Sequence, residues 1–485
     1  MNNIINTLAM IALLCLVKAA LGADFYVDQI PYYITSNAAP FTAKIAMASY
    51  QDQNTKLEGD IVIPATVYHN GNNYKIVQID GYSFSFHPKV TSWSIPSTVT
   101  GIAYLSNDAP VYVDAANPKY KSIDGVLFSK DGTRLISYPR ARTSISYSMP
   151  VTVTNIWYGA FWGCDYLEYV SLSENLSYIG EHAFSGCSKL SMVRFPATSL
   201  RTIGASAFAE CNLTDVVIPQ GVTHIGNGAF SSYYKLASIS IPPSVISIGD
   251  EALTDVETII IDPQNKYYCT DNGILFNKSK TSLIRYPTRL TATSYTVPST
   301  VKRIDNQAFY EVKALTSIIL PPNLESIGER AFYGCKNLEK LSIPRLVNFG
   351  QYQFYIDINN GNFTAFEVDP AHASLKSVDG ILYNKSGTAL LSCPQGKSID
   401  VFYVPVGVKR IEQKAFENSG LTKVVLNEGV TTIGEAAFLG CSNLIELNLP
   451  GSLQSIDDHA FWFTKLHLHF PPHIKLGEEL FIKKH

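Results

Sequence analysis

Ile179 to Pro196 reads IGEHAFSGCSKLSMVRFP, and Ile203 to Pro219 reads IGASAFAECNLTDVVIP. The two share I-G-x-x-A-F, a Cys, a Leu and a pair of alternating apolar residues before Pro. The same unit returns as IGNGAFSSYYKLASISIP from Ile225, IGERAFYGCKNLEKLSIP from Ile327 and IGEAAFLGCSNLIELNLP from Ile433. Weaker copies begin at Ile79, Ile156, Ile248, Ile304, Phe349, Ile411 and Ile456, making twelve, with starts 22 to 24 residues apart wherever copies adjoin. That spacing falls inside the roughly 20–29 residues of a leucine-rich repeat.

The periods within one copy predict its local structure. In L-x-x-V-x-I-P the apolar residues alternate as on a strand, and Pro ends the pairing because it has no N–H to give to a ladder. In I-G-x-x-A-F the Ala and Phe follow the Ile by four and five residues, which predicts one helical or 3₁₀ turn pressing its aromatic inward. One coil alone buries almost nothing. Stacked coils join their strands into a parallel sheet at about 4.8 Å spacing and line up Ile, Phe, Leu and Val in a core that grows with each copy. The expected fold is therefore a leucine-rich-repeat solenoid, mainly β with short helical or 3₁₀ turns.

Three longer stretches interrupt the repeat: VYVDAANPKYKSIDGVLFSKDGTRLISYP from Val111, IIIDPQNKYYCTDNGILFNKSKTSLIRYP from Ile259 and FEVDPAHASLKSVDGILYNKSGTALLSCP from Phe366. Each has an apolar run after Asp-Gly or Asn-Gly, a polar turn and a second apolar run closing on Pro, which is a β-hairpin signature. These inserts occupy roughly 111–150, 259–298 and 366–405. Residues 23–78 are rich in β-branched and aromatic residues with Asn-Gly turns and read as an N-terminal β cap, since a terminal coil needs cover. The solenoid then runs over 79–475 and a tail over 476–485.

With 485 residues the chain is too long for one globular core and suits a repeat. Its 46% hydrophobic and 16% charged residues exclude a disordered chain. Lys plus Arg number 38 against 41 Asp plus Glu, and no stretch gathers basic residues into a phosphate-tracking face, so nucleic acid is not an expected partner. Met1 to Gly22 holds an apolar run from Leu8 to Val17 and then Ala20-Leu21-Gly22, the pattern of an export signal, although no Lys or Arg precedes the run. No later segment has the length and apolarity of a membrane span, so secretion or display at the cell surface is expected.

The I-G-x-x-A-F-x-G-C-x-x-L strings, the D-G-x-L-F/Y-x-K inserts and the lead-in ending V-x-x-I resemble the BspA-like leucine-rich-repeat family of bacterial surface and secreted proteins. The resemblance covers roughly residues 24 to 475. It implies a curved solenoid displayed outside the cell and, for some members, binding of proteins or host matrix.

Five cysteines, Cys164, Cys187, Cys211, Cys335 and Cys441, occupy one repeat position. Their common phase predicts buried thiols filling a small slot, with bridging between coils as the alternative. No C-x-x-C pair suggests zinc. His467 and His469, near His459 and His473, are the best metal candidates, but no carboxylate or Cys stands at ligand spacing, and no metal or cofactor is expected. Counting outward along the strands places Tyr169 and Ser171, Met192 and Arg194, Asp215 and Val217, Ser317 and Ile319, and Lys423 and Val425 on an exposed face. No carboxylate pair, Asp ladder or G-x-S-x-G accompanies them, so no enzyme is expected. The aromatic surplus gathers as Trp157, Tyr158, Trp162, Tyr166 and Tyr169, and as Tyr233 and Tyr234 beside Tyr267 and Tyr268. Exposed Tyr and Trp offer rigid area with a polar tip, and Trp157, Tyr158, Trp162, Tyr166, Tyr169, Tyr233 and Tyr234 are the candidate ligand contacts. The expected partner is an extracellular protein or matrix component bound through the solenoid surface, with glycan binding at the aromatics or a passive envelope role as alternatives.

Overall fold

The computed structural model describes residues 23–45, 57–80, 87–103, 108–231, 236–347, 362–477 and 479–480. The export signal at 1–22, the copy starting at Phe349 and the candidates Tyr233 and Tyr234 lie outside them. The chain forms two compact units, Met1–Val256 with Ile260–Tyr267, and Glu257–Ile259 with Tyr268–His485.

In the first unit, strands Phe25–Val27, Ile30–Ser36, Thr42–Ile45, Asn72–Ile79 and Thr66–His69 form one sheet in that spatial order. Its strand Asn72–Ile79 pairs in parallel with Gly101–Ile102 through Ile79 opposite Ile102. A second sheet begins with the antiparallel meander Tyr120–Ile123, Val126–Ser129 and Arg134–Ser137, the first insert. The meander hands over to parallel two-residue rungs: Leu135 faces Ile156, then Ile179, Ile203, Ile225 and Ile248 follow in register. The V-x-I strands make separate short sheets, Ser146–Ser148 with Tyr169–Ser171 and Met192–Arg194, and Asp215–Val217 with Leu236–Ile241. Each coil thus contributes two rungs, one at the V-x-I strand and one at the Ile before Gly.

The A-F segments are not helical. Among the described residues there is no helix of any kind. These segments are successive tight turns whose other N–H groups reach sideways to the next coil, as from Phe184 to the Ala207 carbonyl at 2.7 Å and from Phe208 to Ala229 at 2.8 Å. A left-handed residue three places after the Ile turns the chain that way: His182 at φ 54°, Ser206 at 51° and Ala436 at 51°. A helix would satisfy its amides internally; here they stitch coil to coil. The Phe rings stack accordingly, Phe161 on Phe184 at 4.6 Å, Phe184 on Phe208 at 5.1 Å and Phe208 on Phe230 at 5.5 Å.

The second unit repeats the plan. Meanders at Tyr268–Arg285 and Leu375–Ser392 lead into rungs at Ile304 and Ile327, and at Ile411, Ile433 and Ile456. Each insert is pinned by one buried polar residue. The amide of Asn117 donates to the Pro96 and Val99 carbonyls, both at 2.9 Å, and that of Asn265 to Pro242 and Val245. His372 fills the place in the third insert and bonds to the Val347 carbonyl at 3.0 Å.

Candidate binding surface

Alternation on the V-x-I strands buries one side chain and turns its neighbours out. Val170 and Leu172 are buried between half-exposed Tyr169 and Ser171, while Met192 is 62% exposed and Val217 71%. In the second unit Ile319 is 59% exposed and Tyr403 68%. The outward face therefore carries large apolar side chains among hydroxyls, as the sequence predicts for Met192, Val217 and Ile319. Ion pairs across coils flank them, Arg194 with Glu174 at 2.9 Å and Lys423 with Glu446 at 2.5 Å.

The five described aromatic candidates do not converge on one pocket. Trp157 packs against the core of the first unit with the Arg134 guanidinium 4.5 Å from its ring. Tyr158 lies 5.3 Å from His182; burial, with Glu181 adding, raises the Tyr158 hydroxyl pKa, and burial lowers that of the imidazole, so both stay neutral near pH 7. Trp162 sits under Arg140 at 5.9 Å, and Tyr166, 46% exposed, under Lys189 at 5.6 Å. Only Tyr169 belongs to the outward strand face, where it is the register partner of Met192.

Between the Met192–Arg194 and Asp215–Val217 strands the face opens. Among the described residues no main-chain hydrogen bond joins these strands, although the coils remain stitched at Ile179–Ile203 and at the A-F turns. The opening is a depression of about 440 Å³ lined by Val193, Phe195, Pro196, Leu213, Asp215 and Val217. Val193 and Phe195 are half-buried here, whereas the matching Val170, Leu172, Val216 and Ile218 are buried. The two coils also differ in spacing. Cys187 precedes Pro196 by 9 residues but Cys211 precedes Pro219 by 8, and Pro196 precedes Ile203 by 7 where Pro219 precedes Ile225 by 6. Between these two coils both counts differ, whereas the strands that do pair, Tyr169–Ser171 with Met192–Arg194 and Asp215–Val217 with Leu236–Ile241, differ in only one of them. Sequence reasoning named the residues on either side but not the gap, although that shifted count was its signal.

None of the seven described cysteines forms a disulfide. The thiols of Cys187, Cys335 and Cys441 donate to the carbonyls of Phe161, Phe309 and Phe416 at 3.0, 3.1 and 2.9 Å. Burial pushes Cys335 up to about 12 and Cys441 to about 11. His467, His469 and His473 are exposed in segments without strand structure, and His459 lies edge-on to Trp462 at 4.1 Å. No three His, Cys, Asp or Glu side chains gather as a metal set among the described residues. Nor does any described helix have the length and apolarity to cross a membrane.

The family model for the BspA type leucine rich repeat region matches residues 119–282, 285–368 and 392–484. Solved structures with a similar fold include a leucine-rich repeat protein from Eubacterium ventriosum, 24% identical, covering 74% of this chain and 91% of that one with a TM-score of 0.49. A leucine rich cell surface protein from Faecalibacterium prausnitzii is 23% identical over 87% of this chain and 94% of its own, at 0.41. No curated protein matches the chain.

Proposed function

The chain belongs to the BspA-type leucine-rich-repeat family, and on that premise we propose that it is a non-enzymatic binding protein that works outside the cell and holds a protein or matrix partner on the outward face of its V-x-I strands. The observation that carries this reading is the set of apolar side chains on that face, exposed Met192 beside half-exposed Tyr169 and exposed Val217 across the opening. Apolar residues grouped within a polar rim mark protein contacts. Covering each large side chain contributes up to about 1.5–3 kcal/mol. Export by the Met1–Gly22 segment and cover of the first coil by residues 23–78 complete the reading.

Sugar stacking is the weaker alternative, because Arg134 and Arg140 already lie over Trp157 and Trp162, where a pyranose would sit. The test is binding of residues 23–485 to parallel arrays of purified extracellular-matrix proteins and glycans. Saturable binding to a protein is the expected result. Binding confined to glycans would overturn it, and silence on both arrays would leave a structural role.

A further inference from the structure

We propose that the opening between the Met192–Arg194 and Asp215–Val217 strands is a strand-addition site, taking an extended segment of a partner protein that is apolar at alternate positions and carries a basic residue opposite Asp215. The inference rests on the reading of the outward face as a protein-binding surface.

Main-chain chemistry sets the class of occupant. In a parallel ladder successive residues bond to opposite neighbours. Met192 N–H donates to the Glu168 carbonyl and Arg194 C=O accepts from Leu172, so the amide and carbonyl of Val193 face the opening. On the far side Thr214 C=O accepts from Ala237 and Ile218 N–H donates to Ser240, which turns the main-chain groups of Asp215 and Val217 toward the opening. In the neighbouring sheet the corresponding groups are paired, as Tyr169 N–H to Ile145 at 3.0 Å and Ser171 C=O from Met149 at 2.9 Å. Two facing edges that each need a partner are complementary to an extended backbone, the mode used in β-augmentation. Half-buried Val193 and Phe195 supply the apolar floor, and Asp215 is the one charged side chain in the lining. Pro196 and Pro219 close one end, because proline offers no donor.

The probe is a fluorescent seven-residue peptide of alternating Val and Thr with Lys at each end, compared with its backbone N-methylated form, on the full chain. A closed-ladder variant inserts one Ala between Asn212 and Leu213 and removes Ala197, restoring the common spacing. The expected result is saturable binding, weakened roughly tenfold or more by N-methylation, by the variant and by Asp215→Asn, with amide exchange slowed at Val193, Asp215 and Val217. Equal binding of the N-methylated peptide, or none up to millimolar concentration, overturns the proposal. So does a concentration-dependent dimer that protects the same amides without peptide, since the occupant would then be a second copy. If the variant does not fold, N-methylation and exchange on the native chain decide. Matrix-protein binding kept by the closed-ladder variant but lost in Met192→Glu would sink the groove and leave the face. Peptide binding by a chain that binds no matrix protein would do the reverse.

Discussion

The glycine after Ile179, Ile203, Ile225, Ile248, Ile327 and Ile433 is there for space. A Cβ on Gly204 would lie 2.6 Å from the Glu181 amide nitrogen, and one on Gly434 2.7 Å from that of Gln413. Trp157, Asp305 and Glu412 stand in its place in the copies directly after an insert, where the preceding layer is a meander strand, and Asp457 replaces it after Ile456 although a coil precedes that copy. Gly204→Ala should therefore cost about 2 kcal/mol or more, because main chain must move, while Glu412→Ala costs under about 1 kcal/mol, both read from urea unfolding. Ala436, held at φ 51°, gives the opposite case: Ala436→Gly should stabilise by about 1 kcal/mol. The Gly was legible in the sequence as a motif. The left-handed residue at His182, Ser206 and Ala436 was not, since three unrelated side chains occupy it, and that is why a helical turn was expected there.

Among the elements, the V-x-I strands and the hairpin inserts could be read from alternation and turn residues. The second ladder, two residues per coil at Ile179 and its equivalents, was too short to show a period. The buried key of each insert was also missed, because Asn117 and Asn265 look like ordinary turn residues. Asn265→Ala should cost about 2 kcal/mol, leaving the Val245 carbonyl buried without the Asn265 amide and the Pro242 carbonyl with only the Val245 N–H. His372 makes the third insert pH-sensitive. Its Nε2–H donates to Val347 while Nδ1 accepts from the Ser374 and Leu375 amides, both at 3.1 Å, so the ring must be neutral. Burial lowers its pKa below 6.5, Lys385 assisting and the Val347 bond and Asp369 opposing. A depressed folded pKa means the unfolded chain binds the extra proton. The stability is present above pH 6.5 and is lost as pH falls through that value toward the lowered one. His372→Asn, the residue of the other inserts, should remove this part of the pH dependence in thermal melts.

For the whole molecule, composition and the repeat set the fold class, and outward counting found Met192, Val217 and Ile319. Clustering of aromatics in sequence did not translate into a cluster in space, because a coil of about 23 residues spreads Trp157, Trp162 and Tyr169 around its circumference. Cysteine phase was a better guide than cysteine number: Cys269 should be the first described thiol to react with a native-state thiol reagent, and Cys335, Cys393 and Cys441 should wait for unfolding. On the proposed function the strand face, and not the turn aromatics, binds protein. This is tested most directly by the binding isotherm of the chain on a matrix protein captured from the array, comparing Met192→Glu with Val217→Glu against Trp162→Ala with Tyr166→Ala. A strand-face site gives at least about a tenfold loss for the first pair and little change for the second; loss confined to the second pair would put the contact on the turn aromatics and overturn the proposal.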